Sequence, residues 1–235
     1  MSIAYCPLPI TINVYMKKLF LICAIPGYIT STSAQSFNIL FNGKNLDGWY
    51  TFIHGNTKGH DPDSIFTVQD NMLHVSGKSF GYICTNNSFR NFHLVLEFRW
   101  GVQKHPPRLD AKRDSGILYY FSESTPDKVW PRSIECQIQE GDCGDFWLVD
   151  STSLTVNGQR YLPTKNQQVV KFSDHEKPTG EWNTVEVICL NGKCTHIVNG
   201  IVVNEGTDAN VREGKIALQS EGAEIYYRNI RLAEL

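Results

Sequence analysis

Phe92-His93-Leu94-Val95-Leu96-Glu97-Phe98-Arg99-Trp100 is the stretch that decides the fold. In an extended chain, Leu94, Leu96, Phe98 and Trp100 share one side, and Val95, Glu97 and Arg99 take the other. One apolar face and one charged face mark a strand of an antiparallel sheet that is covered on one side only. The apolar side needs a second sheet to bury it. Working outward, residues 65–68 and 72–75 read as strands around a Gln69-Asp70-Asn71 turn, with further strands at 81–85, 116–121, 215–219 and 224–232. Residues 182–190 and 194–203 read as a hairpin through Leu190-Asn191-Gly192-Lys193. Asn-Gly is the favoured two-residue type I′ turn, and it recurs at 42–43, 157–158 and 199–200. Short strands at regular intervals predict an all-β sandwich of two antiparallel sheets. From 142 to 179 the pattern is weak, and only short strands are expected. No internal repeat suggests a propeller.

The chain has 235 residues and a formal charge of −2, with no basic stripe of the kind that binds nucleic acid. Phosphate-binding glycine loops, a Gly-x-Ser-x-Gly elbow and a His-Glu-x-x-His helix are absent from the sequence. Residues 1–34 read as an export signal: Met16-Lys17-Lys18 opens a basic region, an apolar run follows from Leu19, and Thr32-Ser33-Ala34 offers a cleavage site before Gln35. Met16 is a candidate true start. The apolar run is too short, and too interrupted by Pro26 and Gly27, for a good membrane span. The expectation is therefore an exported protein with one domain over 35–235. Its 20 basic and 24 acidic residues give −4, which predicts no anionic partner. Cys189 falls opposite Cys194 in the hairpin, where a disulfide and a pair of small buried thiols are both open.

The chemistry centres on Ser133-Ile134-Glu135-Cys136-Gln137-Ile138-Gln139-Glu140-Gly141-Asp142-Cys143-Gly144-Asp145. Alternation puts Glu135, Gln137 and Gln139 on one face. Glu140 joins Glu135 only if a bulge intervenes; otherwise it is a solvated acid. Paired carboxyls serve a retaining glycosidase at about 5 Å and an inverting one at roughly 6.5–9.5 Å. Asp142 and Asp145 lie in a tight turn able to ligate a hard divalent cation or simply to meet water. His175 is a reserve acid or base on a loop. Trp130 and Trp147 flank the acidic stretch as platforms for sugar rings, with Arg132 as a bidentate donor. Glu97 and Arg99 are expected beside Glu135 and Gln137 on one concave outer face. Glu224 and Arg228 share a face of the last strand, either as an ion pair or as the far wall of a cleft. Trp49 and Trp182 sit next to turns and are expected in the core. The loop cluster His54, His60, Asp61 and Asp63 reads as a polar surface.

Five separated stretches carry a resemblance. They are Leu40-Phe41-Asn42-Gly43-Lys44-Asn45-Leu46-Asp47-Gly48-Trp49; Asp114-Ser115-Gly116-Ile117; Ser133 through Gln137; Gly180-Glu181-Trp182-Asn183-Thr184; and Gly214-Lys215-Ile216-Ala217-Leu218-Gln219 running to Tyr227-Arg228-Asn229-Ile230. In this order the chain resembles the 3-keto-disaccharide hydrolase family over about residues 37–235. The resemblance implies a concanavalin-like jelly roll with a concave ligand cleft and a carbohydrate substrate oxidised at C3. A C3 ketone acidifies the C2 proton. A positioned base can then remove it while an acid protonates the departing oxygen, and a cation or hydrogen-bond donors can stabilise the enolate. The fold is also similar to that of laminarinase-like glycosidases, whose strand reads Glu-x-Asp-x-x-Glu. Glu135 matches their nucleophile and Glu140 their acid/base, while Gln137 replaces the aspartate between them and is cast as an orienting donor. Losing that charge argues against plain double displacement. The leading expectation is a keto-glycoside-cleaving enzyme with Glu135 and Glu140 as catalytic carboxyls. The alternatives are a conventional glycosidase and a non-catalytic carbohydrate-binding module.

Overall fold

A computed structural model describes residues 36–123 and 127–235. The expected export signal lies outside them. Among the described residues, no helix is long and apolar enough to cross a membrane.

The chain folds into two antiparallel sheets, as the strand pattern predicts. The larger has ten strands. Its main path runs Gln159–Tyr161, Leu154–Val156, Ile201–Thr207, Lys193–Val198, Asn183–Leu190, Phe92–Lys104, Ala223–Glu234, Met72–Val75 and Phe66–Gln69, and Asn38–Ile39 pairs with Ala223–Glu234. The smaller has seven, in the order Asn166–Val169, Phe146–Val149, Ser133–Gln137, Gly116–Phe121, Lys215–Ser220, Gly81–Thr85 and Trp49–Ile53. Both form because alternation gives each strand one apolar face, and the two apolar faces bury each other. Leu94, Leu96, Phe98 and Trp100 from the larger sheet join Ile117, Tyr119, Ile134 and Cys136 from the smaller in one core.

The turns follow their residue chemistry. Asn157-Gly158, Asn191-Gly192 and Asn199-Gly200 all hold positive φ at both positions, as type I′ turns require. Asp70-Asn71 does the same between the 66–69 and 72–75 strands. One expectation changes here. The strand expected over 194–203 breaks at Asn199-Gly200 and reverses into Ile201–Thr207, so two hairpins stand where one was read. Cys189 and Cys194 pair in register as expected, yet both are free thiols with sulfurs 3.5 Å apart.

Two features set the seven-stranded sheet apart. Tyr120 takes a φ of 52°, and the pairing of Gly116–Phe121 with Lys215–Ser220 shifts register. This bulge sends both Tyr119 and Tyr120 into the core and turns Phe121 to the outer face. A buried polar link also spans the sandwich. Tyr119 Oη meets His196 Nε2 at 3.0 Å, and His196 Nδ1 donates to the Gly144 carbonyl at 2.9 Å. Burial pushes the His196 pKa down to about 3, so the imidazole is neutral and the link carries no charge.

Candidate functional site

Glu135 sits near the middle of the seven-stranded sheet, paired with Leu118 on one side and Trp147 on the other. Ile134 and Cys136 point into the core, so alternation sends Glu135 and Gln137 to the outer face. That face is divided. One half is an apolar cluster of Phe52, Tyr82, Cys84, Leu118, Phe121 and Ala217, with Tyr50 and Val129 packed against it. The other half is a pocket of about 270 Å³ lined by Arg108, Asp114, Trp130, Glu135, Gln137, Gln139, Trp147, Val149, Asn166, Gln219 and Glu221. Trp130 stands at its edge, 42% exposed, and packs edge-on against Phe80 at 5.9 Å. Trp130 also lines a neighbouring chamber of about 1190 Å³.

Gly116 makes room for this pocket. A Cβ there would lie 1.9 Å from Glu135 Oε1 and 2.4 Å from Gln219 Oε1, so the two side chains occupy the space above a residue with none. Ser115 fixes the backbone beside it. Its hydroxyl donates to the Gln219 carbonyl at 2.8 Å, which leaves Tyr227 to donate to Ser115 Oγ at 2.7 Å from the other sheet.

Three carboxyl groups line the pocket, and Arg108 ties two of them together. Its Nη2 donates to Asp114 Oδ2 and, at 2.7 Å, to Glu221 Oε1. Gln139 Nε2 also donates to Asp114 Oδ2, at 2.6 Å. Burial pushes the Asp114 carboxyl up to about 7 and the charge of Glu221 adds to this, while Arg108 and Gln139 oppose it. Glu221 is likewise raised by burial, against the pull of Arg108. Glu135 is only 5% exposed. Burial holds its carboxyl well above the usual range, and the charges of Glu221 and Asp114 push the same way. Burial thus favours its protonated form beside an ionisable pair, an arrangement that separates donor from acceptor. Several buried polar atoms here lack a protein partner: Asp114 Oδ1, Arg108 Nε, Trp147 Nε1 and both amide atoms of Gln219. Half of the orphaned side-chain atoms found among the described residues gather in this one pocket. Such atoms cost free energy unless a ligand or water meets them.

The residues expected from sequence separate into two groups. Glu135, Gln137, Trp130 and Trp147 meet in the pocket. The others lie elsewhere. Glu140 accepts from the Arg113 backbone at 2.8 Å, from Arg113 Nη1 at 2.9 Å and from Thr179 Oγ1 at 2.6 Å, which anchor it outside the lining and lower its pKa against the opposing effect of burial. No bulge returns it to Glu135, because the strand ends at Gln137 and the chain turns away. His175 is exposed, and its carbonyl accepts from Asn199 at 2.7 Å. Arg132 is half-buried and outside the lining.

Glu97, Arg99, Glu224 and Arg228 belong to the ten-stranded sheet and face outward from it, so the shared face expected for Glu97, Arg99, Glu135 and Gln137 does not form. Glu97 pairs with Arg228 at 2.6 Å, and Glu224 accepts from the Val102 and Gln103 amides at 2.9 and 3.1 Å. Trp182 lies on that same outer face under Arg228, 3.8 Å from ring centre to guanidinium carbon, rather than in the core. Trp49 is buried as expected and donates to the Leu40 carbonyl at 2.8 Å. Asp61 caps the Ile65 and Phe66 amides at 2.8 and 2.9 Å.

Asp142 and Asp145 do not converge on a cation. Asp142 pairs with Lys112 at 2.7 Å, and buried Asp145 accepts from Gln168 at 2.7 Å and the Lys171 amide at 2.9 Å. Among the described residues, no group of three or more His, Cys, Asp or Glu side chains is placed to hold a metal.

Sequence reading missed Arg108, Asp114, Gln219 and Glu221 as site residues. Asp114 and Gln219 had a signal, since both fall in stretches that carry the family resemblance. Arg108 and Glu221 lie in loops without pattern.

Residues 36–233 match the sequence profile of the 3-keto-alpha-glucoside-1,2-lyase-like domain. The chain belongs to this family. A curated relative, the 3-keto-disaccharide hydrolase of Bacteroides thetaiotaomicron, is 21% identical over 86% of this chain and 79% of its own length. Two solved structures share the fold. One is a provisionally named glycosyl hydrolase of Parabacteroides distasonis, 22% identical with a TM-score of 0.60 over 85% of this chain and 94% of that one. The other is the carbohydrate-binding module CBM66 of Bacillus subtilis, 8% identical with a TM-score of 0.55 over 80% and 96%. Membership of the lyase-like family places this β-sandwich among carbohydrate-acting proteins of glycosyl-hydrolase type.

Proposed function

We propose that this lyase-like domain cleaves glycosides whose sugar carries a ketone at C3, by elimination across C1 and C2 followed by hydration. One observation carries the reading: the buried carboxyl of Glu135 shares a pocket with Asp114, whose Oδ1 has no protein partner among the described residues. Asp114 Oδ1 takes the C2 proton, made acidic by the neighbouring ketone. The C–H electrons move into the enolate, whose oxygen meets the unpaired donors of Arg108, Gln219 or Trp147. The enolate re-forms the ketone as the C1–O bond breaks. Glu135 passes its proton to the departing oxygen. Water then adds across the C1–C2 double bond, hydroxyl to C1 and hydrogen to C2, which restores both carboxyl groups. The net result is hydrolysis.

Gln137 lines the same pocket, and its Oε1 accepts from the Ile138 amide at 3.0 Å, which leaves its NH₂ for a sugar hydroxyl. With Glu140 held by Arg113, double displacement through the Glu135–Glu140 pair has no support. If residues 1–34 direct export, the reaction takes place outside the cytoplasm.

The test compares paired 3-keto and unoxidised glycosides in deuterated water. Deuterium at C2 of the product, beyond exchange in an enzyme-free control, supports elimination. Glu135→Gln should lower kcat about 10²–10⁴-fold with ligand affinity retained. Unchanged turnover removes Glu135 from the mechanism. Sugar binding with no cleavage of either substrate marks a binding module instead.

A further inference from the structure

The larger chamber beside the site is unused by this mechanism. Trp130 lines both cavities, so they share a wall. Their sizes differ more than fourfold, at about 270 and 1190 Å³. The smaller fits little more than one sugar ring, whereas the larger exceeds the roughly 300–1,000 Å³ typical of drug-sized ligands. Their walls differ as well. The carboxyls and amides lie in the small pocket. In the large chamber most of the exposed wall is apolar, from Phe80, Pro106, Pro107, Val129 and the Trp130 indole. Its charged rim is mainly cationic: Lys58, Lys78 and Lys128 outnumber Asp127. Lys58 is held by Glu123 at 2.5 Å and Lys128 by Asp150 at 2.7 Å, while among the described residues no ion pair engages the exposed Lys78.

Resting on the proposed reaction for its orientation, we infer that the large chamber is the leaving-group site and that it takes a flat aromatic group bearing an acidic substituent, rather than a second sugar. The apolar part of the wall, where Trp130 and Phe80 meet each other edge-on at 5.9 Å, suits an aromatic ring, which gains area and ring–ring contact without needing a hydroxyl-by-hydroxyl set of partners. The ammonium of Lys78 suits a phenolate or carboxylate on that ring. A leaving sugar would bury less apolar area against these side chains than an aromatic ring does. The same geometry lowers the demand on Glu135, because a phenolic oxygen departs more readily than an alkoxide.

Binding and turnover are measured separately, so that the two readings fail differently. By calorimetry, 4-carboxyphenyl glucoside should bind at least tenfold more tightly than a glucosyl disaccharide. Phe80→Ala should weaken the aryl glucoside fivefold or more and leave methyl 3-keto-glucoside unchanged. Lys78→Ala should weaken 4-carboxyphenyl glucoside about threefold and leave phenyl glucoside unchanged, which guards against a Phe80 effect due to misfolding. Equal affinities for aryl glucoside and disaccharide, or insensitivity to both substitutions, overturn the inference. If no 3-keto substrate turns over while the aryl preference persists, the chamber assignment stands and the proposed reaction falls. If all 3-keto substrates turn over with the same kcat/KM whatever their leaving group, the reaction stands and the chamber assignment falls.

Discussion

Gly116→Ala tests the placement of Glu135 without altering a charged group. The added Cβ would stand 1.9 Å from Glu135 Oε1 and 2.4 Å from Gln219 Oε1, where ordinary contact begins near 3.4 Å. Glu135 must therefore retreat by about 1.5 Å, and Gln219 by about 1 Å. Displacing a reacting group by about 1 Å can cost about 10²-fold in rate. The fold should tolerate the change better. Gly116 does not hold a positive φ, so alanine meets no backbone penalty. It also recovers about 0.5–1 kcal/mol of chain entropy in the unfolded state, against an overpacking cost of roughly 1–3 kcal/mol. The expected result is a fall in kcat/KM on a 3-keto glycoside of about 100-fold, with a net destabilisation of about 2 kcal/mol or less by denaturant titration. Substitution with near-native kcat/KM would refute the reasoning, because Glu135 would then act from a position the pocket does not fix. A collapse of stability in step with activity would show that Gly116 serves packing instead.

Asp114 sets a pH dependence. Its folded pKa of about 7 lies above the ordinary value of 3.8, so its contribution to stability is fully present below about 3.8 and is lost as pH rises through about 7. Asp114→Asn should flatten that decline between pH 5 and 8 in denaturant midpoints and remove the limb of the kcat/KM profile that rises near pH 7. A profile that keeps this limb assigns the base elsewhere. Glu140→Gln should leave kcat/KM within about threefold while destabilising the fold by about 1–2 kcal/mol, through weakened hydrogen bonds to Arg113 and Thr179. A hundredfold loss of turnover without loss of stability would restore Glu140 to the chemistry.

Much of the sandwich was legible because strand period is local. Leu94, Leu96, Phe98 and Trp100 announced their inward face, and Asn157-Gly158, Asn191-Gly192 and Asn199-Gly200 named their turns, whereas Asn42-Gly43 did not, since Asn42 lacks the positive φ. Glu135 was legible for the same reason, through the contrast with Ile134 and Cys136. Sheet membership was not. Alternation tells that Glu97 and Glu135 both leave the core, but not that they leave it in opposite directions on different sheets. That depends on strand order, and Gly116–Phe121 lies between its near neighbour Ser133–Gln137 and Lys215–Ser220, whose Ala217 pairs with Leu118 from far along the chain. The Arg108–Asp114–Glu221 group escaped for a related reason. All three of its members sit outside the strands, and only the assembled sheet brings them to one mouth. Glu140 misled because its spacing to Glu135 fits a bulged strand, whereas the strand ends three residues earlier at Gln137 and Arg113 takes the carboxylate.

The division of the outer face has an evolutionary consequence. Glu135, Gln137, Gly116 and Gln219 stand on inner strands of a sheet whose other face is the core, so any exchange there is felt by the whole domain. The larger chamber is walled mainly by stretches between strands, around residues 54–58, 78–80, 106–107 and 127–130. Those segments can lengthen, shorten or change character with little penalty to folding. On the proposed reaction, a gene for this domain can thus change what it releases through these loops without rebuilding the pocket around Glu135.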